Sequence, residues 1–194
     1  MKVSRGKVAE HRAAIVKAAA RLFRERGFDH VRVADVMKAA GLTHGGFYGH
    51  FSSKKELTAE ACDEALKQRK GTWPELPLDA SDRSLGAIAA AYLTTYHRDN
   101  PGRGCLFAAL GSEVRRQPKT VRKRVNDGLQ AHLAKLAGLL TMRDVTRRRE
   151  EAVAAMAGFV GAMVLSRAVS DAAFSEEILR STAKTLGRRQ TTRP

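Results

Sequence analysis

The stretch 43–54, THGGFYGHFSSK, gathers side chains that donate hydrogen bonds to an anion. Thr43 brings a hydroxyl, Tyr48 a phenol, His44 and His50 imidazoles, and Lys54 an ammonium. Each suits a phosphate oxygen. Interleaved with them are Gly45, Gly46 and Gly49. Glycine costs about 1 kcal/mol relative to alanine in a helix interior, so three in one short segment do not serve stability. They suit a backbone that must come very close to another surface. Phe47 and Phe51 stand at helical spacing and can pin the segment to a core beneath it.

Groups so arranged need a scaffold, and the flanking sequence supplies helices. Ile15, Ala18, Ala19, Leu22 and Phe23 follow the spacing of one buried helix face, and Gly27 closes that helix. A second helix is expected over 33–40, burying Val33, Val36, Met37 and Ala40, and Gly41 breaks it. Thr43 is placed to cap a third helix that runs through Phe51. Ser52 or Ser53 caps a fourth over 54–70, and Ser53 has Glu56 at the capping-box spacing. Leu57, Ala61 and Leu66 are its buried face. Two short helices joined by a Gly-containing turn form a helix-turn-helix, and the second helix of such a unit fits the major groove of DNA.

Beyond Lys70 the patterning stays helical. The segment 71–81, GTWPELPLDAS, reads as a linker. Helices are expected over 85–97, 105–115, 118–140, 144–169 and 175–186. The run 152–165 is apolar nearly all round, so it should be buried on most sides, in the core and in a dimer interface shared with the last helix. It is too short to cross a bilayer, which takes roughly 20 residues. The expected organisation is all-α: a helix-turn-helix domain at 1–53, a connecting helix at 54–70, an effector-binding and dimerisation domain at 71–186, and a flexible tail at 187–194.

Composition narrows the function classes. Hydrophobic residues are 43% of the chain, which is enough for a packed core. The net charge of +15 favours a polyanionic partner, nucleic acid before membrane. It does not locate the binding surface, because 15 basic and 8 acidic residues precede Gly71 and 20 and 12 follow. Cys62 and Cys105 cannot build a disulfide framework. The first residues, MKVSRGKVAEHR, lack the apolar core of a signal peptide, so a soluble, cytoplasmic protein without a membrane partner is expected. The six His show no ligand spacing, so neither metal nor cofactor is expected.

The run 27–57 resembles the DNA-binding domain of the TetR family of bacterial transcriptional regulators. The resemblance rests on Gly27-Phe28, Asp35-Val36, the run 40–43 (AGLT), Gly46, Phe47-Tyr48, His50-Phe51, and Ser53-Lys54 with Leu57. It covers about the first third of the chain; the remainder is similar only in architecture. It implies a dimeric regulator, a repressor released by a small-molecule or thiol-reactive effector, reading a pseudo-palindromic operator. It implies DNA contacts at Thr43, His44, Gly45, Tyr48, His50 and Lys54. The family's capping hydroxyl on the second helix is replaced here by Val31 and Arg32, which makes Arg32 a candidate phosphate contact. Gly49 stands where the family often has a larger side chain.

Other groups carry competing readings. Cys105 follows Pro101-Gly102-Arg103-Gly104 near a helix N-terminus, a position that favours the thiolate; it is either an effector-sensing thiol or core. Tyr96, Phe107 and Phe159 are candidates for the effector pocket and equally for packing, as is Trp73. Arg115, Arg116, Lys119, Arg122, Lys123 and Arg124 read first as a solvated helix face, with phosphate or an acidic effector as alternatives. Lys2, Arg5 and Lys7 read as a solvated tail before a DNA-reaching arm. Two rival functions stand: a non-specific architectural DNA binder, and an enzyme using Cys105 and His97. The enzyme lacks a third orienting group.

Overall fold

The computed structural model describes residues 5–67, 84–140 and 142–191. The linker expected at 71–81, with Trp73, and the end of the 54–70 helix lie outside these, as does Lys2. Among the described residues there are helices and no strands.

Helix α1 (Arg5–Arg26) buries Ile15, Ala19, Leu22 and Phe23 at 3% exposure or less. Gly27 ends it at φ +84, a left-handed conformation that favours glycine. α2 (Val33–Ala39) lacks a capping hydroxyl, and Asp35 reaches back instead to accept the Arg32 N–H at 2.8 Å. That hydrogen bond, with Arg32 and Arg26 nearby, holds the Asp35 carboxyl below its usual range. α2 stops in a Schellman motif: Leu42 N–H donates to Met37 O at 2.9 Å, Gly41 N–H to Lys38 O at 3.1 Å, and Gly41 takes φ +72.

The third element, expected as an α-helix through Phe51, is a 3-10 helix over His44–Gly49. Its glycines weaken the α-helical alternative. Thr43 precedes it in extended conformation, and the Thr43 side chain makes no cap hydrogen bond. α3 (Lys54–Lys67) is capped by Ser53, whose Oγ accepts the Glu56 N–H at 3.2 Å. Glu56 turns back one residue further than a capping box requires and accepts from Ser52 N–H at 2.7 Å.

The helix expected over 85–97 is two. α4 (Leu85–Tyr92) ends at Leu93, and Thr94 caps α5 (Thr95–Asp99) by accepting the His97 N–H at 3.1 Å. A short 3-10 turn (Pro101–Arg103) then leads to α6 (Leu106–Val114). α7 (Lys119–Leu139), α8 (Val145–Ala168) and α9 (Ala172–Thr191) complete the second unit. α4, α8 and α9 pack together, α7 lies between α3 and α8, and α1 meets α6 and the Pro101–Arg103 turn.

α8 is 24 residues and by length and composition alone could cross a membrane, although its apolar run is shorter. One face of it, with Ala152, Ala155, Phe159 and Met163, is fully buried in the core. The other leaves Val153, Val164 and Leu165 in the open, as Phe174 of α9 is also. The tail expected from Gly187 is instead helical to Thr191. A Cβ on Gly86 would sit 3.1 Å from the Gly187 Cα, so the two helices touch backbone to backbone there. Only glycines permit that approach, and the apolar spacing of α9 gives no sign of it.

Candidate nucleic-acid interface

The segment His44–Gly49 is fastened from below. Phe47 and Phe51 are buried and stacked with centroids 5.6 Å apart. Arg12 of α1 lies over the Phe51 ring at 4.1 Å, donates to the His50 carbonyl, and pairs with Glu56 and Glu60. Arg12 continues the buried face of α1 one turn before Ile15, so the spacing turns it inward, while its contact with Phe51 is visible only in the fold.

The upper side is open. Tyr48 is 73% exposed, and Thr43, His44, Gly45 and Gly49 are exposed around it. A Cβ on Gly45 or Gly49 would meet nothing within 4 Å, and neither residue has a positive φ. Neither backbone conformation nor internal packing therefore asks for glycine at those positions. Gly46 is different, since its Cβ would meet the Met37 side chain at 3.6 Å.

Other expected contacts lie elsewhere. Arg32 is outside, its guanidinium loosely paired with Asp35 at 3.4 Å. His50 is half-buried and turned toward His11, ring centroids 6.1 Å apart, and its Nδ1 is buried. Lys54 faces inward: Nζ donates to the Phe28 carbonyl at 2.7 Å and lies over the Phe23 ring. Its ammonium ties the start of α3 to the turn after α1. Lys55 is the exposed lysine at that helix start.

A polar seam joins this head to the second unit. The buried Arg24 guanidinium donates to the Gly102 carbonyl at 2.6 and 3.1 Å, and burial pulls its pKa down to about 10. Next to it, the Cys105 N–H donates to His97 Nε2 at 2.9 Å, and His97 Nδ1 faces the Tyr92 carbonyl at 2.9 Å. Arg167 of α8 donates to the carbonyls of His97, Arg98 and Ala108.

The four candidate effector residues lie in different surroundings. Phe159 is core, stacked on Tyr92 at 5.3 Å. Phe107 is buried with its ring edge to His132. Tyr96 is 53% exposed, with Arg103 donating to its hydroxyl. Cys105 is buried beside the Tyr92 hydroxyl, which burial and that thiol push well above its ordinary pKa. A cleft of about 190 Å³ is lined by Leu93, Thr95, Glu176, Leu179 and Arg180, none of them among the four. Cys62 is core, and burial pushes its thiol up to about 12.

A head of α1, α2, a short third helix and α3, carried on a larger helical unit, defines a helix-turn-helix protein with a second helical domain. Two family models match it, one described as bacterial regulatory proteins, tetR family, over residues 15–61, the other as tetracyclin repressor-like, C-terminal domain, over 81–182. The chain belongs to the TetR family of bacterial regulatory proteins. It is 43% identical over 54 residues to the HTH-type transcriptional regulator TtgR of Pseudomonas putida, a match covering 28% of this chain and 26% of TtgR. The chain therefore spans about a quarter of that relative's length. The fold extends further. A TetR regulator from Chloroflexus aurantiacus aligns over 96% of this chain and 97% of its own, with TM-score 0.73 and 22% identity. One from Agrobacterium tumefaciens aligns over 93% and 99%, with TM-score 0.71 and 21% identity.

Proposed function

We propose that this protein is a homodimeric transcriptional repressor, each protomer placing His44–Gly49 in the major groove of one half of a pseudo-palindromic operator. The observation that carries the reading is the pair Gly45 and Gly49. Both are exposed, and nothing among the described residues requires them to be glycine. A surface that must meet DNA backbone or base edges closely has that requirement. Thr43, His44, Tyr48 and Arg32 surround the glycines with donors, while Lys54 contributes by fixing the start of α3. Two-fold symmetry of the protein demands two-fold symmetry of the site. The apolar faces left open on α8 and α9 are the dimer surface in this reading.

Selection of bound duplexes from random DNA tests it. Two similar half-sites related by a dyad are expected; enrichment of no sequence, or of a single unpaired site, overturns it.

Release from DNA is assigned to a small-molecule or thiol-reactive effector acting in the second domain, Cys105 being the thiol modified in the second case. Cys105 is adjacent to the loop whose Gly102 carbonyl holds Arg24 of the head, so a group added to the sulfur would disturb that loop. Alkylation that lowers operator affinity in the wild type and not in Cys105→Ser is the expected result. Unchanged wild-type affinity after complete Cys105 modification sinks it.

A further inference from the structure

α6 ends against the head. The Glu113 carboxylate accepts the Phe28 N–H at 2.9 Å, and a Cβ on Gly27 would lie 2.8 Å from Glu113 Oε1. The α6–α7 junction is thereby held at the turn that leads into α2. That junction is strongly basic. Arg115, Arg116, Lys119 and Arg122 are all exposed, and their side chains have no hydrogen bond or ion pair among the described residues. Their neighbours are neutralised: Lys123 pairs with Asp127 at 2.7 Å, and Arg124 pairs with Asp63 of α3. The Glu113 carboxylate is held at Phe28 and pairs with none of the four. Lys119 and Arg122 are one helical turn apart and share a face.

The head continues the same charge. Arg26 and Arg32 are exposed on either side of the Glu113 clamp, Arg32 in its loose pair with Asp35. Arg32 is four residues past Phe28, which puts it within ~14 Å of the clamp even for a fully extended chain. That distance is about four base-pair steps along the axis of a duplex. A solvated surface gains nothing from four unpaired cations side by side, since like charges repel. A polyanion running past Arg32 relieves that repulsion.

We propose that Arg115, Arg116, Lys119 and Arg122 form a second phosphate-binding surface, contributed by the effector domain, for duplex flanking each half-site. The inference rests on the reading that the head binds DNA. Phosphate binding of this kind adds affinity independent of sequence.

The test compares the wild-type protein with Arg115→Ser/Arg116→Ser/Lys119→Ser/Arg122→Ser on two duplexes carrying the selected site. One ends at the half-sites; the other extends about ten base pairs, one helical turn, at each end. The wild type should bind the extended duplex about tenfold or more tighter than the core. The variant should bind both duplexes alike. Its slope of log affinity against log salt on the extended duplex should fall by about 0.9 for each phosphate that the surface no longer neutralises. Core binding should be retained. An unchanged slope, with the preference for the extended duplex intact, overturns the second surface and leaves the head's reading standing. Failure of the wild type to bind the core duplex at all overturns both.

Discussion

The backbone N–H of Cys105 donates to Nε2 of His97 across 2.9 Å. An N–H donor requires Nε2 to be the acceptor, so the neutral imidazole carries its proton on Nδ1 and donates to the Tyr92 carbonyl. His97 is buried, and desolvation, aided by the Arg167 charge, lowers its pKa below 6.5. The folded protein therefore resists protonation that the unfolded chain accepts. Stability contributed by the neutral ring is complete above about pH 6.5 and is lost as pH falls below it. The thermal midpoint should drop as pH falls below about 6.5, and His97→Gln should flatten that part of the profile. At neutral pH the variant should be about 1 kcal/mol less stable, the worth of one hydrogen bond. A midpoint followed by circular dichroism across the range decides it.

Gly45→Ala and Gly49→Ala separate function from folding. A Cβ at either position meets nothing within 4 Å, and alanine is the better helix former by about 1 kcal/mol. Both variants should be as stable as the wild type or slightly more so. Operator affinity should nevertheless fall about tenfold or more, about 1.4 kcal/mol. Urea denaturation and fluorescence anisotropy on the selected duplex give the two numbers.

Tyr48 and Phe47 are neighbours with opposite assignments. Tyr48→Ala should leave stability within about 0.5 kcal/mol, as exposed substitutions do, and should weaken DNA binding at every operator tried. Phe47→Ala removes a buried ring that packs on Phe51 and Tyr48 and should cost about 3–5 kcal/mol of stability. Equal losses of stability in both variants would contradict the exposure difference.

The head is largely legible in sequence because its determinants are local. Gly27, Gly41 and the Phe47/Phe51 pair announce themselves by residue type and spacing. What escapes depends on partners far along the chain. Lys54 reads as a phosphate donor, and only the fold brings the Phe28 carbonyl within 2.7 Å of it. Arg12 falls in register with Ile15 and Ala19, and only the fold shows that its charge lies over the Phe51 ring. The break at Leu93 between α4 and α5 is hidden because Thr94 caps a helix inside an otherwise helical pattern. The surroundings of the candidate effector residues are the least legible, since burial of Phe107 and Phe159 and exposure of Tyr96 follow from how α5, α6 and α8 meet.

Arg12→Ala tests the clamp. A hydrogen bond from a charged donor to a carbonyl is worth about 1.5–3 kcal/mol, and Arg12 gives one to His50. Its removal should lower the unfolding midpoint in urea. The amides of His50 and Phe51, both bonded to Phe47 O, should exchange their hydrogens faster.

Leu165→Glu with Phe174→Glu tests the shared surface. Both side chains are at least half exposed in the single protomer, so a glutamate at each should leave one protomer folded. Burying four new carboxylates across a two-fold interface is prohibitive. Sedimentation should show a monomer, with helical content unchanged and operator affinity sharply reduced.

The meeting of Gly86 and Gly187 makes the second domain a nearly closed ring of chain rather than an open string. The first turn of α4 lies against the last turns of α9. A pull on the start of α4 is delivered at once to α9, without crossing the body of the domain. Even a methyl group at Gly86 would press on the Gly187 Cα at 3.1 Å, so any side chain there pushes the start of α4 away from the last turns of α9.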